Sequence, residues 1–155
     1  MPSESSAWWT IPGEFTKNGK AHRVPLSLAC ITVLKKVRRL HDDPMWVFPG
    51  KKGPQVVVWS SGNRVRESSK VDFVPHDLRR TAASHMTSMG ISRLTVSKIL
   101  NHSDPSVTSV YDRYSYDAEK RQALGLWAQR LGKILSSQAA HVVPAAPDRV
   151  VTRPT

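Results

Sequence analysis

Two histidines, an arginine and a tyrosine stand in one run of this sequence, residue types that together could serve attack on a phosphodiester. The run, residues 75–111, reads PHDLRRTAASHMTSMGISRLTVSKILNHSDPSVTSVY. His76 and Arg79 are 3 apart, His102 follows His76 by 26 positions, and Tyr111 follows His102 by 9. A tyrosine hydroxyl, with an ordinary pKa of about 10, is a poor nucleophile at neutral pH. It becomes useful where cationic donors surround the electrophile and stabilise the charge developing on it. Phosphoryl transfer fits that description, because positioning and electrostatics dominate its barrier. Arginine presents a planar fork that donates two hydrogen bonds to one phosphate. Histidine donates to the same oxygens or handles the tyrosine proton. The leaving sugar oxygen needs a proton, which a lysine on a hairpin can supply. The covalent phosphotyrosine stores the bond energy, so neither metal nor nucleotide is required.

These side chains need elements to hold them. Apolar periodicity predicts a helix over about Asp77–Met89, with Leu78, Ala82, Ala83, Met86 and Met89 inward, so that His76 and Arg79 share a face. Gly90 closes it. A second helix, Ile91–Leu100, has Leu94, Ile99 and Leu100 as core candidates and ends at Asn101, with His102 next. Asp104-Pro105 is an N-cap followed by a proline at the first helical position, and Tyr111 lies about two turns into that third helix. His85, nine positions after His76, falls about 180° round the first helix and should face away. His22, His41 and His141 have no partner pattern.

Upstream, Trp8–Ile11 and Ala21–Leu26 read as strands flanking Lys17-Asn18-Gly19-Lys20, and Asn-Gly is a strong hairpin signal. Lys17 then sits at the tip or shoulder of the hairpin, with Lys20 a close rival. Ser27 caps a helix to about Leu40, with Cys30, Val33, Leu34 and Val37 as its apolar stripe. Residues 41–55 read as a loop around a buried Trp46-Val47-Phe48 segment, in which Gly50-Lys51-Lys52-Gly53 is a turn and not a phosphate-binding loop. A helix follows from Gln55 to about Glu67, then a connector, 68–74. Beyond a break near Ser115, a helix over about 117–135 repeats Leu124, Trp127, Leu131 and Leu135 at helical spacing. The fold class is mainly α with a small antiparallel hairpin near the N-terminus. Residues 1–7 are expected to be disordered, 8–135 to form the domain, and 136–155 to be a flexible tail.

The order H-x-x-R, L-x-H, Y resembles the tyrosine recombinases, or phage-type integrases. The resemblance covers roughly residues 8–135 and is strongest over 75–127. Val24-Pro25-Leu26, Phe48-Pro49, Tyr111-Asp112-Arg113-Tyr114 and Glu119-Lys120-Arg121 are also family-like. It implies that Tyr111 is the nucleophile, that Arg79, His76 and His102 serve the phosphate, and that Lys17 is the general acid. The fold it implies is part of a recombinase catalytic domain. Two departures stand out. Asn101 replaces the glycine usual before the second histidine, which is mild because asparagine also accepts the left-handed conformation. Family members also carry a first catalytic arginine upstream of the hairpin, in a G-x-R-x-x-E context, and none of the 16 residues before Lys17 is arginine.

A net charge of +11 over 155 residues, with pI near 10.3, points to a polyanionic partner. DNA is the expected partner, with Arg64, Arg66, Arg80 and Lys98 as backbone-contact candidates. Other recombinase protomers are a second expected partner, through the C-terminal helix. Cys30 is the single cysteine, and no H-E-x-x-H or carboxylate cluster accompanies the histidines, so no metal or other cofactor is expected. No apolar run approaches a membrane span and no secretory signal is present, which suggests a cytoplasmic, DNA-associated bacterial protein. The expected function is site-specific DNA recombination and integration through a 3′-phosphotyrosine. The alternative is a non-catalytic DNA-binding remnant of an integrase. A type IB topoisomerase shares the chemistry, but the L-x-H element and the sequence around Tyr111 disfavour it.

Overall fold

A computed structural model describes residues 7–55, 59–102 and 114–139. In chain order it has β1 (Trp8–Ile11), β2 (His22–Pro25), α1 (Leu28–Arg38), β3 (Pro49–Gly50), β4 (Gly53–Pro54), α2 (Trp59–Ser69), α3 (Pro75–Ser88), α4 (Arg93–Ile99) and α5 (Asp117–Ala139). The class is mainly α, with two small antiparallel pairs, β1–β2 and β3–β4. Of the expected disordered N-terminus, 1–7, residues 1–6 lie outside the described residues, and of the expected flexible tail, 136–155, residues 140–155 do. Residues 136–139 instead continue α5, which runs on to Ala139. The helix expected from Gln55 is found later in the chain. Gln55 is not helical, its N bonding Phe48 O at 2.7 Å beside the β3–β4 pair; residues 56–58 lie outside the described residues, and α2 runs Trp59–Ser69.

The core is small and sits where three helices meet. Met86 of α3, Val96 and Ile99 of α4 and Ala123 of α5 are buried, flanked by Ala83, Met89, Ile91, Leu100, Leu124 and Trp127. Only the C-terminal half of α3 reaches this junction, so Leu78, expected inward, is 61% exposed. Leu94 is likewise exposed, and Thr95 and Val96 take the inward positions. On α5 the buried stripe stops at Trp127, while Leu131 and Leu135 project past α3 and α4 into solvent. The Trp127 ring stacks on His85 at 5.4 Å between centroids, which accounts for that histidine facing the core side. Trp127→Ala is expected to cost about 3 kcal/mol, the lower end for an aromatic truncation because the ring is half-buried. Urea unfolding measures it, and a loss below about 0.5 kcal/mol would mean the ring is peripheral.

The β1–β2 pair is docked on α5 by charge and ring contacts. Trp8 pairs with Pro25 and Ile11 with His22. The Arg23 guanidinium lies 4.4 Å and that of Arg121 4.7 Å from the Trp8 ring centroid. Lys120, buried, donates to the Arg23 carbonyl at 3.1 Å and pairs with Asp117 at 3.0 Å. The connection between the strands is longer than a two-residue turn. It opens with a 3-10 turn, Gly13–Phe15, and Thr16–Gly19 then closes a second turn, in which only Gly19 has positive φ (68°). Asn-Gly here therefore serves inside a wider loop. Gly13 must be glycine, because a Cβ there would meet the Gly19 carbonyl oxygen at 2.4 Å.

Two further expectations are corrected. Ser27 caps α1 as expected, its side chain accepting from Cys30 N. The helix, however, turns Ile31, Leu34 and Val37 inward and leaves Cys30 and Val33 exposed. The expected and observed stripes share Leu34 and Val37, and their centres differ by about half of the roughly 100° step between neighbouring residues; the surface against which the helix packs makes the choice. Trp46 and Val47 are 37% exposed and Phe48 56%, not buried. Polar bonds shape this segment instead: the Asp43 carboxylate accepts from Met45 N and Trp46 N at 2.9 and 2.8 Å. His41 Nε2 lies 2.9 Å from the Val47 carbonyl. Lys51-Lys52 forms the turn between β3 and β4, as expected.

Candidate active site

The C-terminal end of α4 carries Lys98 and leads to His102, and it is met by Arg79 and by Asn18, the neighbour of Lys17. Asn101 has φ 53°, the left-handed conformation its sequence position suggested. With it, His102 N bonds to Ser97 O at 3.1 Å and Asn101 N to Lys98 O at 3.4 Å, the two bonds of a Schellman end. The same device ends α3 at Gly90, φ 85°, where Ile91 N bonds to Met86 O at 3.2 Å. Capping by Asn101 thus sets the direction in which the chain leaves α4 and where His102 emerges, exposed.

A helix of this length leaves its last carbonyls without helical donors. Here they are taken by other elements. His22 Nε2, on β2, lies 3.0 Å from Ile99 O, so this ring nitrogen carries the proton and donates. Arg79 Nη2, on α3, donates to Leu100 O. Asn18 Nδ2, in the β1–β2 loop, donates to Asn101 Oδ1 at 3.1 Å. Three separate elements therefore converge on residues 99–101, and they bring Arg79, the neighbour of Lys17 and the turn carrying His102 to one place.

His76 is the second residue of α3, exposed, on the face of Arg79. The start of α3 is fixed by Pro75 at its first position and by the Asp77 carboxylate, which accepts from Val74 N at 2.9 Å. Lys17 and Lys20 are both exposed in the loop. Tyr111 and the helix expected from Asp104-Pro105 lie outside the described residues. Of the DNA-contact candidates, Arg80 pairs with Asp77 at 4.0 Å on α3. Arg66 pairs with Asp72 at 3.7 Å, and Arg64 bonds Ser61 at 3.2 Å. Lys98 places its ammonium 4.9 Å from the Tyr116 ring centroid. Arg64 and Arg66 belong to α2, which buries no residue. Among the described residues no group of three or more His, Cys, Asp or Glu is gathered as a metal site needs, and no helix is long and apolar enough to cross a membrane.

In the sequence His22 has no partner pattern, Asn18 reads only as a turn residue, and Lys120 only as part of a family-like run. Their partners lie far off in the chain, at Ile99, Asn101 and Arg23, and no local pattern announces such contacts. Burial holds the His22 imidazole below its ordinary pKa of 6.5; the Ile99 carbonyl opposes this, and the Lys120 and Arg79 cations reinforce it. The sign follows from linkage. Below pH 6.5 the unfolded chain takes up a proton that the folded imidazole resists, so the unfolded state binds more protons and stability falls as pH falls. Between pH 7 and 5, urea unfolding should show a larger loss of stability for the native chain than for His22→Gln. Equal losses would contradict this placement of His22.

The sequence that builds this arrangement matches a known family. The chain belongs to the phage integrase family, whose model matches residues 3–117. It is 34% identical over 116 residues to a tyrosine recombinase of Thermosipho africanus, covering 70% of this chain and 41% of the relative. It is 29% identical over 105 residues to the tyrosine recombinase XerA of Pyrococcus furiosus, covering 63% of this chain and 36% of that one. It is also 26% identical over 124 residues to the prophage integrase IntA of Escherichia coli, covering 77% and 30% respectively. The chain thus spans less than half the length of these relatives. No solved structure matches it.

Proposed function

We propose that this chain carries the nucleophile and part of the phosphate clamp of a DNA strand-cleaving and rejoining enzyme, a tyrosine recombinase of the integrating type. Tyr111 Oη attacks the phosphorus, the bond from phosphorus to the sugar O5′ breaks, and a 3′-phosphotyrosine forms. Arg79 keeps most of its five N–H donors for the non-bridging oxygens after one goes to Leu100 O. His76 and His102 donate to those oxygens or take the tyrosine proton, and Lys17 protonates the departing O5′. Attack of a 5′-hydroxyl on the phosphotyrosine reverses the steps and rejoins the strand. The observation carrying this reading is the convergence of Arg79, the turn leading to His102 and the loop bearing Lys17 on residues 99–101.

DNA is the partner we propose, on the +11 charge and the names of the relatives. Leu131 and Leu135, exposed on the far half of α5, are where a second protomer would dock. Two measurements test the reading. Affinity for duplex DNA should fall steeply between low and moderate salt, because each phosphate contact releases counterions; affinity that ignores salt would contradict it. A nicked suicide substrate should trap a covalent complex when the chain is supplied with a fragment bearing a G-x-R-x-x-E arginine. From the chain by itself we expect at most a trace. DNA binding with no adduct under either condition would favour the non-catalytic reading.

A further inference from the structure

We propose that Asn101 is a positioning residue for the general acid: its side chain, through Asn18, holds the Lys17 loop against the turn that presents His102. The proposal rests on the strand-cleavage reading above and adds a part to it. Asn101 occupies a left-handed position that glycine would fill at no cost, so the backbone gives no reason for a side chain there. What the side chain adds is an acceptor for Asn18.

Asn18 is oriented for this bond from its own side. Its Oδ1 accepts from Lys20 N at 3.1 Å, which fixes the amide so that Nδ2 points to Asn101. The Thr16 hydroxyl donates to Lys20 O at 2.8 Å and closes the loop around Lys17. Gly13 lies against the Gly19 carbonyl and fixes the base of the loop. An exposed amide pair competes with water and would not order a loose loop by itself. This loop is already closed internally, and its exit is tied a second time, by His22 to Ile99 O at 3.0 Å. The Asn18–Asn101 bond therefore acts on a loop already held at its base and exit, and ties its tip to the end of α4. A lysine on a flexible stem delivers a proton within hydrogen-bond reach of the leaving oxygen only if its backbone stays near the phosphate.

Asn101→Gly separates the side chain from the backbone role, since glycine keeps the left-handed end of α4. In the full chain, backbone ¹⁵N relaxation should show Lys17–Lys20 as ordered as β1 and β2. In Asn101→Gly those four amides should become mobile while the melting temperature holds, and Asn101→Asp, which keeps an acceptor, should restore order. A loop equally rigid in Asn101→Gly would overturn the bridge. The chemical role is read by comparing an ordinary suicide substrate with one carrying sulfur at the bridging 5′ position, a leaving group that needs no proton. With the complementing fragment present, Asn101→Gly and Asn18→Ala should slow cleavage of the oxygen substrate about tenfold and leave the sulfur substrate unchanged, and Lys17→Ala should slow the oxygen substrate more severely. Equal slowing of both substrates, or of neither, would overturn the positioning role. If the native chain cleaves neither substrate, strand cleavage and with it the positioning of an acid are overturned, while the relaxation data still decide whether the bridge exists.

Discussion

Arg79→Ala is expected to lower the rate of covalent complex formation by about 10³–10⁵, the range lost when an arginine finger is removed from a phosphoryl transfer site. The comparison is apt because Arg79, in the proposed role, would face charge spread over non-bridging oxygens as an arginine finger does, where a planar two-donor fork matches the geometry. Arg79 also donates to Leu100 O, so its removal has a structural component. Losing one exposed bond of this kind costs about 1 kcal/mol of stability, too little to unfold the domain or to account for a thousandfold rate effect. Arg79→Lys keeps the charge and loses the fork, and should recover only part of the rate. Single-turnover cleavage of a suicide substrate, in the presence of the fragment supplying the upstream arginine, makes the measurement. A loss below tenfold in Arg79→Ala, with the fold intact, would remove Arg79 from the site.

Tyr111→Phe should abolish the complex altogether, because phenylalanine has no oxygen to form the bond, whereas Tyr114→Phe and Tyr116→Phe should retain it. The environment of Tyr114 argues against it as nucleophile. It is 58% exposed, packs edge-on against Tyr116 at 4.9 Å, and its hydroxyl pKa is raised by the charge of Glu119 and a hydrogen bond to that carboxylate. A raised pKa moves the hydroxyl away from the phenolate needed for attack. The Tyr116 ring faces the Lys98 ammonium, within α4 and the approach to α5. Complex surviving in Tyr111→Phe would overturn the choice of nucleophile.

What was legible in the sequence depended on how local the determining physics is. The ends of α3 and α4 were readable because Gly90 and Asn101 need a left-handed backbone, and the Ser27 cap because one hydroxyl meets an amide three residues on. The class, mainly helical with small hairpins, followed from apolar periodicity. The face each helix buries was less legible. Cys30 and Ile31 stand side by side on α1, both able to flank Leu34 and Val37, yet only Ile31 is buried, and Leu78 fits the pattern of α3 yet is exposed. Those choices belong to the partner surface, which no window of sequence contains. In the site, residue types and gaps picked out His76, Arg79 and His102, but nothing local announced that Asn18, His22 and Arg79 would meet on residues 99–101.

The account turns on which atom joins the DNA, and tryptic mapping of the trapped complex reads it directly. Cleavage after Lys98 and Arg113 releases residues 99–113, whose single tyrosine is Tyr111, and cleavage after Lys120 releases residues 114–120, which hold Tyr114 and Tyr116. The account predicts the nucleotide mass on the 99–113 peptide, linked through a 3′-phosphate with a free 5′-hydroxyl on the departing strand. The mass on the 114–120 peptide, or a linkage through a 5′-phosphate, would contradict it.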